Sequence, residues 1–505
     1  MPFPRLARTV RRVLAVTAFL ASTPAHAADP LTRATWQGDM DQSLAIVRAR
    51  IEENDEDYEA HGFYIDLLSS MGFARAVAAE YKKRIDLEAP TADAWALIGR
   101  AEPEPSAALA AYDLALSLQP DHTAALTGRA EVLRAVGKEI AAIEGYQASL
   151  AIDSTQGRAW AGLSQAWLSR GATDTALQIA QQGLSSAPSD PSLWLLASTL
   201  APASARDTLA KATTLHPAIP QLWSALARAH FEAEAWTVAT EAYDQALRFN
   251  PPDAPNLRVE RALVIEIRTG ALDMTGASVI LDIRQIANQD TRLALGALDT
   301  LATEQPRSGQ VRLVYGNILR AIGNYGAAEV QLKAARDLMP DDADAWSALG
   351  SFYLGQRRPA EARPLLEQAA RTRPDDPVLV VAAAMAAAEA GDPVTAEASL
   401  RSAMDTFQGS VGPVLGLVRL LISLERGTEA LDLLTEAIRR QARVELALAL
   451  ASAGKELGRY EEAIERIELL ATQTGDPRLN AAAIGLRASA PSDKPASVPP
   501  TGPVP

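Results

Sequence analysis

Apolar and polar positions along this chain repeat with a helical spacing, and that spacing itself recurs. Between Asp341 and Pro374, the residues Trp346, Leu349, Gly350 and Tyr353 fall at i, i+3, i+4 and i+7, one stripe of a helix. Gly355-Gln356-Arg357-Arg358 interrupts the stripe, and Pro359 suits the first turn of a new helix, where its missing N–H costs nothing. Ala362, Leu366 and Ala369 make a second stripe before Pro374 closes the stretch. Asp341 and Asp342 stand where a carboxylate can accept hydrogen bonds from the free N–H groups of a helix start. The stretch reads as two short helices joined by a turn, an antiparallel hairpin.

The same pattern returns at a fixed interval. Ala328, Ala362, Ala396 and Ala430 are each 34 residues apart, as are Leu332, Leu366, Leu400 and Leu434, and Ala335, Ala369, Ala403 and Ala437. Phased columns of this period mark a stack of supersecondary units, each burying its apolar face on its neighbours. The small residues let helix backbones approach; Trp346, Leu349, Tyr353 and Leu366 fill the space around them.

Trp-x-x-Leu-Gly-x-x-Tyr followed by spaced Ala, Leu, Ala and Pro resembles the tetratricopeptide repeat family, in its exported bacterial form. Trp160, Leu163, Trp167, Ala176 and Pro188 carry the same pattern, as do Trp223, Leu226, Ala239, Tyr243, Ala246 and Pro251, and Gly316, Leu319, Ala328, Leu332, Ala335 and Pro340. The resemblance implies an all-α fold, a right-handed superhelical solenoid of antiparallel helix hairpins. It also implies that the first helix of each hairpin lines a concave groove. The matched residues are packing positions, so they speak for the fold and leave the ligand open.

Along the chain, residues 28–56 hold an N-terminal capping helix, read at Asp39 to Glu53, and residues 57–270 a first sub-solenoid. Arg100-Ala101-Glu102-Pro103-Glu104-Pro105 and Ala201-Pro202-Ala203-Ser204 shorten the first helix of their hairpins. Between Pro251 and Pro306 the interval is too short for two units, so a helix is missing: Ala254 to Arg268 reads as a single helix and Asp273 to Gln305 as a degenerate pair. Either a break between sub-solenoids near Gly270 or a decayed repeat explains this region, 252–306. Residues 271–487 continue as a second sub-solenoid, in which Ala463 and Ile467 fall one residue early, and 488–505 form a disordered proline-rich tail.

Residues 1–27 read as a signal peptide. Arg5, Arg8, Arg11 and Arg12 precede an apolar run from Val13 to Ser22, and Ala25-His26-Ala27 is a small-x-small cleavage site. The run is about half of the ~20 residues that span a bilayer, and no other stretch is apolar enough, so no integral membrane segment is expected after cleavage following Ala27. Cleavage removes four arginines and no acid, moving the net charge from −14 to about −18. So acidic a chain lacks the basic footprint of a nucleic-acid binder. With no cysteine in 505 residues, disulfides and thiolate metal sites are excluded. An exported, disulfide-free chain suits the periplasm.

Catalytic constellations are missing from the pattern. His61, His122, His216 and His230 have no i, i+3 or i+4 partners among themselves, so no helical metal pair exists. Gly409, Gly412 and Gly416 follow no strand and precede no Gly-Lys-Ser/Thr. The acidic groups at Asp341-Asp342-Ala343-Asp344 and Asp375-Asp376 open helices and read as caps. No metal, cofactor or catalytic residue is expected. What remains is surface: counted from the Trp position, Glu131, Arg134, Arg158, Gln165, Gln221, Arg228, Asn317 and Arg320 are the groove-contact candidates. Only Asn317 and Arg320 resemble the family's carboxylate-clamp residues.

The expected function is a non-catalytic protein–protein interaction scaffold in the bacterial cell envelope, holding a peptide or protein partner in the groove. Alternatives are a periplasmic subunit of a secretion, pilus or polysaccharide export machine, and an enzyme of cell-wall metabolism, for which the repeats leave no separate domain.

Overall fold

The computed structural model describes residues 40–84, 91–286 and 290–489, and among these residues there is no strand. The signal-peptide reading (1–27) and all but the first residues of the tail therefore lie outside the described residues. The capping helix is present as Met40–Glu53. Hairpins follow, for example Thr123–Ala135 with Glu139–Ile152, and Gly157–Ser169 with Thr173–Ser186. First helices also pack beside the first helices of the next hairpin. The alanine and leucine columns are the core: Ala328, Ala362, Ala396, Ala430, Leu332, Leu366, Leu400 and Leu434 are completely buried.

Local chemistry sets each helix start. Asp342 accepts from the backbone N–H of Asp344 and Ala345 at 2.7 and 3.3 Å, and Asp376 from Val378 at 3.0 Å. These acidic clusters are caps in the structure too. Hairpin turns need a left-handed residue, supplied by Gly323 and Gly391 (φ 80° and 91°) but by Arg357 and Glu425 (φ 56° and 60°) at the equivalent places, where a side chain has to tolerate the strain. A repeated tie joins the hairpins. The indole N–H of Trp194, Trp223 and Trp346 donates to the carbonyl of Pro188, Pro217 and Pro340, at 2.8, 2.9 and 2.7 Å.

Two compact units form, Met1–Met339 and Pro340–Pro505. In the first, Ala92–Ala101 and Pro191–Leu200 are the shortened first helices, the latter followed by a 3-10 turn at Pro202–Ser204. Ala254–Thr269 is the unpaired helix, and Met274–Ile286 with Thr291–Glu304 the irregular pair. Gly270 takes a left-handed conformation (φ 70°), yet it is not a break. One apolar cluster runs from Leu263 across the turn to Leu272, Ala277, Ile280, Leu298 and Val311. The missing helix is absorbed because Leu263 and Leu272 reach the same cluster from both sides of the turn; the packing divides at Met339/Pro340 instead.

The second unit ends in a helix the repeat pattern did not announce, Pro477–Ser489. Its start is secured by Asp476 and Arg478, both almost completely buried. Asp476 accepts the Arg478 backbone N–H (2.8 Å), Nε (3.1 Å) and guanidinium (3.0 Å), and the guanidinium donates on to the Ala442 carbonyl at 2.7 Å.

One cap carries a pH dependence. Asp190 opens Pro191–Leu200, accepting from the Ser192 N–H and hydroxyl at 2.9 and 2.6 Å, and is 5% exposed. Burial pushes its carboxyl up to about 6, against the pull of the Ser192 bonds. The folded chain thus keeps this proton to a higher pH than the unfolded chain does. Stability is unaffected below the unfolded value, falls as the pH rises from about 4 to 6, and stays reduced above, by up to about 3 kcal/mol. Asp190→Asn, itself a good cap, is expected to raise the urea midpoint at pH 7.5 and to leave it nearly unchanged at pH 4. An equal effect at both pH values contradicts the assignment.

Candidate ligand cleft on the first-helix face

The first unit differs from the second in one column. Where the second has Leu366, Leu400 and Leu434, continuing from Leu332 in the last hairpin of the first, earlier hairpins of the first unit have Tyr112, Tyr146 and Tyr243. All three rings are buried. The Tyr146 ring passes close under Gly162: a Cβ there would stand 2.5 Å from Cε1 and Cζ and 2.7 Å from the hydroxyl. The missing side chain is the opening through which a phenol on a second helix reaches the first-helix face. Gly162→Ala is therefore expected to destabilise by about 1–2 kcal/mol, overpacking outweighing the gain in helix propensity. Gly296→Ala, where nothing lies within 4 Å, should instead stabilise. Urea midpoints of the two variants moving in the same direction would remove the distinction.

Beneath this face runs a chain of ion pairs. Arg100 donates to both oxygens of Asp66, at 2.9 and 2.5 Å, and Arg158 holds both oxygens of Glu131 while approaching Asp66 at 3.6 Å. The pairs link four helices: Tyr58–Leu68, Ala92–Ala101, Thr123–Ala135 and Gly157–Ser169. Burial works against both guanidiniums, but the facing carboxylates outweigh it, so the pKa of Arg100 rises and that of Arg158 rises further. Burial, followed by Tyr58 and Glu131, raises the Tyr112 phenol.

Two cavities share Arg158 as a wall. The smaller, about 80 Å³, is lined by Tyr58, Arg100, Tyr112, Gly128 and Gln156. The larger, about 300 Å³, is bounded by Glu131, Val132, Arg134, Ala135, Tyr146, Ala161, Gly162 and Gln165. The structure thus brings Glu131, Arg134, Arg158 and Gln165 into one cleft. It places Gln221 and Arg228 further along the same unit, where Arg228 donates to both oxygens of Glu260 (2.8 and 3.1 Å). Glu260 also accepts from the Tyr243 hydroxyl at 2.9 Å. Asn317 is half-buried and Arg320 exposed, on Gly309–Ala321, away from the cleft. Sequence reasoning missed Asp66, Arg100, Tyr112 and Tyr146; tyrosine in a leucine column was the available signal.

Two of the histidines singled out above serve the packing. His122 caps Thr123–Ala135 by accepting from Ala125 at 3.1 Å and reaches Asp93 at 2.8 Å; His61 meets the Tyr81 hydroxyl at 2.6 Å. Among the described residues no three His, Cys, Asp or Glu gather as a metal site, and no helix is long and apolar enough to cross a membrane.

Two family models, each described as tetratricopeptide repeat, match the chain, one at residues 319–387 and 387–452 and the other at 201–254. The chain carries tetratricopeptide repeats. No curated protein matches it. Solved structures similar to it include Naa15/Naa10 bound to HypK-THB, 14% identical over 91% of this chain and 77% of that one, with a TM-score of 0.35. Yeast Tom70 is 16% identical over 76% and 92%, with a TM-score of 0.30. PilW, a widely conserved type IV pilus biogenesis factor, is 19% identical over 40% and 94%, with a TM-score of 0.32. The cleft lies ahead of the matched tetratricopeptide repeats, in hairpins that share their packing columns.

Proposed function

We propose that the chain is a non-catalytic protein–protein interaction scaffold of the bacterial cell envelope, taking a peptide segment of a partner along the first-helix face of its first unit. Tetratricopeptide repeats imply protein partners. The observation that carries the reading further is the cleft itself: an apolar-walled hollow of about 300 Å³ with polar groups converging from three helices, at the small end of the range for ligand sites. The envelope location rests on Arg5, Arg8, Arg11, Arg12 and Ala25-His26-Ala27.

The test places a photo-crosslinking residue at Gln165, in the cleft, and at Ile140, exposed on a second helix. One recurrent protein crosslinked through Gln165 and not through Ile140 is the expected outcome. Equal capture at both positions, or none, counts against the reading. For location, the mature N-terminus should be Ala28 and the protein should leave cells with the periplasmic fraction; an intact Met1 in a cytoplasmic fraction would refute export.

A further inference from the structure

We propose that the second unit carries a docking face of its own, on Pro377–Glu389 and Val411–Ser423, and that its occupant is the apolar side of an amphipathic helix bearing an acidic residue. This goes beyond the cleft of the first unit, which the Gln165 crosslink tests separately.

Composition gives the first sign. Glu389 is the single charged residue of Pro377–Glu389, and Arg419 that of Val411–Ser423. A helix that is apolar on every side belongs in a core. These two pack beside each other and rest on the apolar cluster of the second unit, yet part of their apolar surface stays open. Val378 is 71% exposed, and Val381, Met385, Leu415 and Ile422 are only partly buried. Val378, Val381 and Met385 fall at i, i+3 and i+7, and Leu415, Arg419 and Ile422 at i, i+4 and i+7, so each set is one helix stripe about 10 Å long. Glycines bring the stripes together: a Cβ on Gly416 would stand 3.1 Å from Cγ1 of Val381, and one on Gly412 4.0 Å from its Cγ2. Counted from the Trp position, these are the places that hold Glu131, Arg134, Arg158 and Gln165 in the first unit. A polar surface there is an apolar one here.

Two features choose the occupant. An extended peptide needs partners for its backbone N–H and C=O groups, and of the six side chains in these stripes only Arg419 is polar. A helix satisfies its own backbone and can lie on such a surface without loss. Charge settles the rest. In the first unit Arg100, Arg158 and Arg228 each face a carboxylate, of Asp66, Glu131 and Glu260. Arg419 is exposed and forms no ion pair among the described residues. A lone cation set among apolar side chains favours a helix that brings an acid to it and disfavours one that brings a base.

The experiment measures binding of the full-length chain to a library of stapled four-turn helices by fluorescence anisotropy. Each carries leucine at i, i+4 and i+7, and each is made with Glu, Gln or Lys beside that stripe. The expected result is tighter binding with Glu than with Lys, by about tenfold. Arg419→Glu, at an exposed position, should invert that order. Val378→Asp, at the most exposed of the six, should weaken every selected helix by about tenfold, and both variants should keep the circular dichroism of the parent. An order that Arg419→Glu does not invert, binding that Val378→Asp does not weaken, or no binding of any helix overturns the inference. Proline-broken versions that bind as well as the stapled ones show an extended occupant and overturn it too. So does a dimer in sedimentation velocity that Val378→Asp dissociates, which gives the face to a second copy of the chain.

Discussion

Asp66→Ala should destabilise the first unit by about 3 kcal/mol, among the largest single-residue losses in the chain. The carboxylate is 17% exposed and takes two hydrogen bonds from Arg100, which is 14% exposed, while Arg158 stands 3.6 Å away. Removing it leaves one guanidinium without a counter-ion and brings a second, like charge into play. Partial solvent access keeps the cost at the lower end for buried pairs. The charge argument makes a second demand. Asp66→Leu combined with Arg100→Met removes both charges and keeps the volume, so it should cost far less than Asp66→Ala alone. Urea unfolding of the single and double variants measures the difference. Equal losses would mean that shape, and not an orphaned charge, holds these helices.

The second large effect is expected at the other end. Asp476→Ala takes from Arg478, 5% exposed on its side chain, the buried carboxylate that accepts from its backbone N–H, its Nε and its guanidinium. Breaking such a pair costs about 3–5 kcal/mol. In a stacked array that cost falls on one neighbour interface, because each unit contacts only those beside it. The helix Pro477–Ser489 should therefore undock before the unit melts. Hydrogen exchange is the decisive measurement: protection should vanish across residues 478–489 while Leu417, Leu421 and Leu434, deep in the same apolar cluster, keep theirs. Uniform loss of protection would show the unit to be more cooperative than nearest-neighbour packing implies.

The fold was legible because its determinants are local. Spacing alone placed a helix at Ala254 to Arg268, against an observed Ala254–Thr269, and the two proline-bearing interruptions did shorten their helices. Asp342 and Asp376 could be read as caps because a cap depends on the next three residues. The absorbed turn at Gly270 and the last helix were not legible, since both depend on which apolar clusters neighbouring elements share. The cleft was half legible. Counting from the tryptophan column singled out Glu131, Arg134, Arg158 and Gln165, all now on one cleft wall. Tyr146 hid among packing residues, because the outlet for its hydroxyl is a glycine of the following hairpin. The Arg228–Glu260 pair hid because Glu260 sits on the unpaired helix, outside the repeat register.

The leucine and tyrosine columns share one backbone. Gly316 meets Leu332 and Gly416 meets Leu400 much as Gly162 meets Tyr146, so the same glycine gap receives a branched aliphatic side chain in some hairpins and an oxygen-bearing ring in others. Exchanging the two residue types column by column would let descendants of this chain change what they recognise while inheriting the same scaffold. Selectivity in such a molecule can drift faster than architecture.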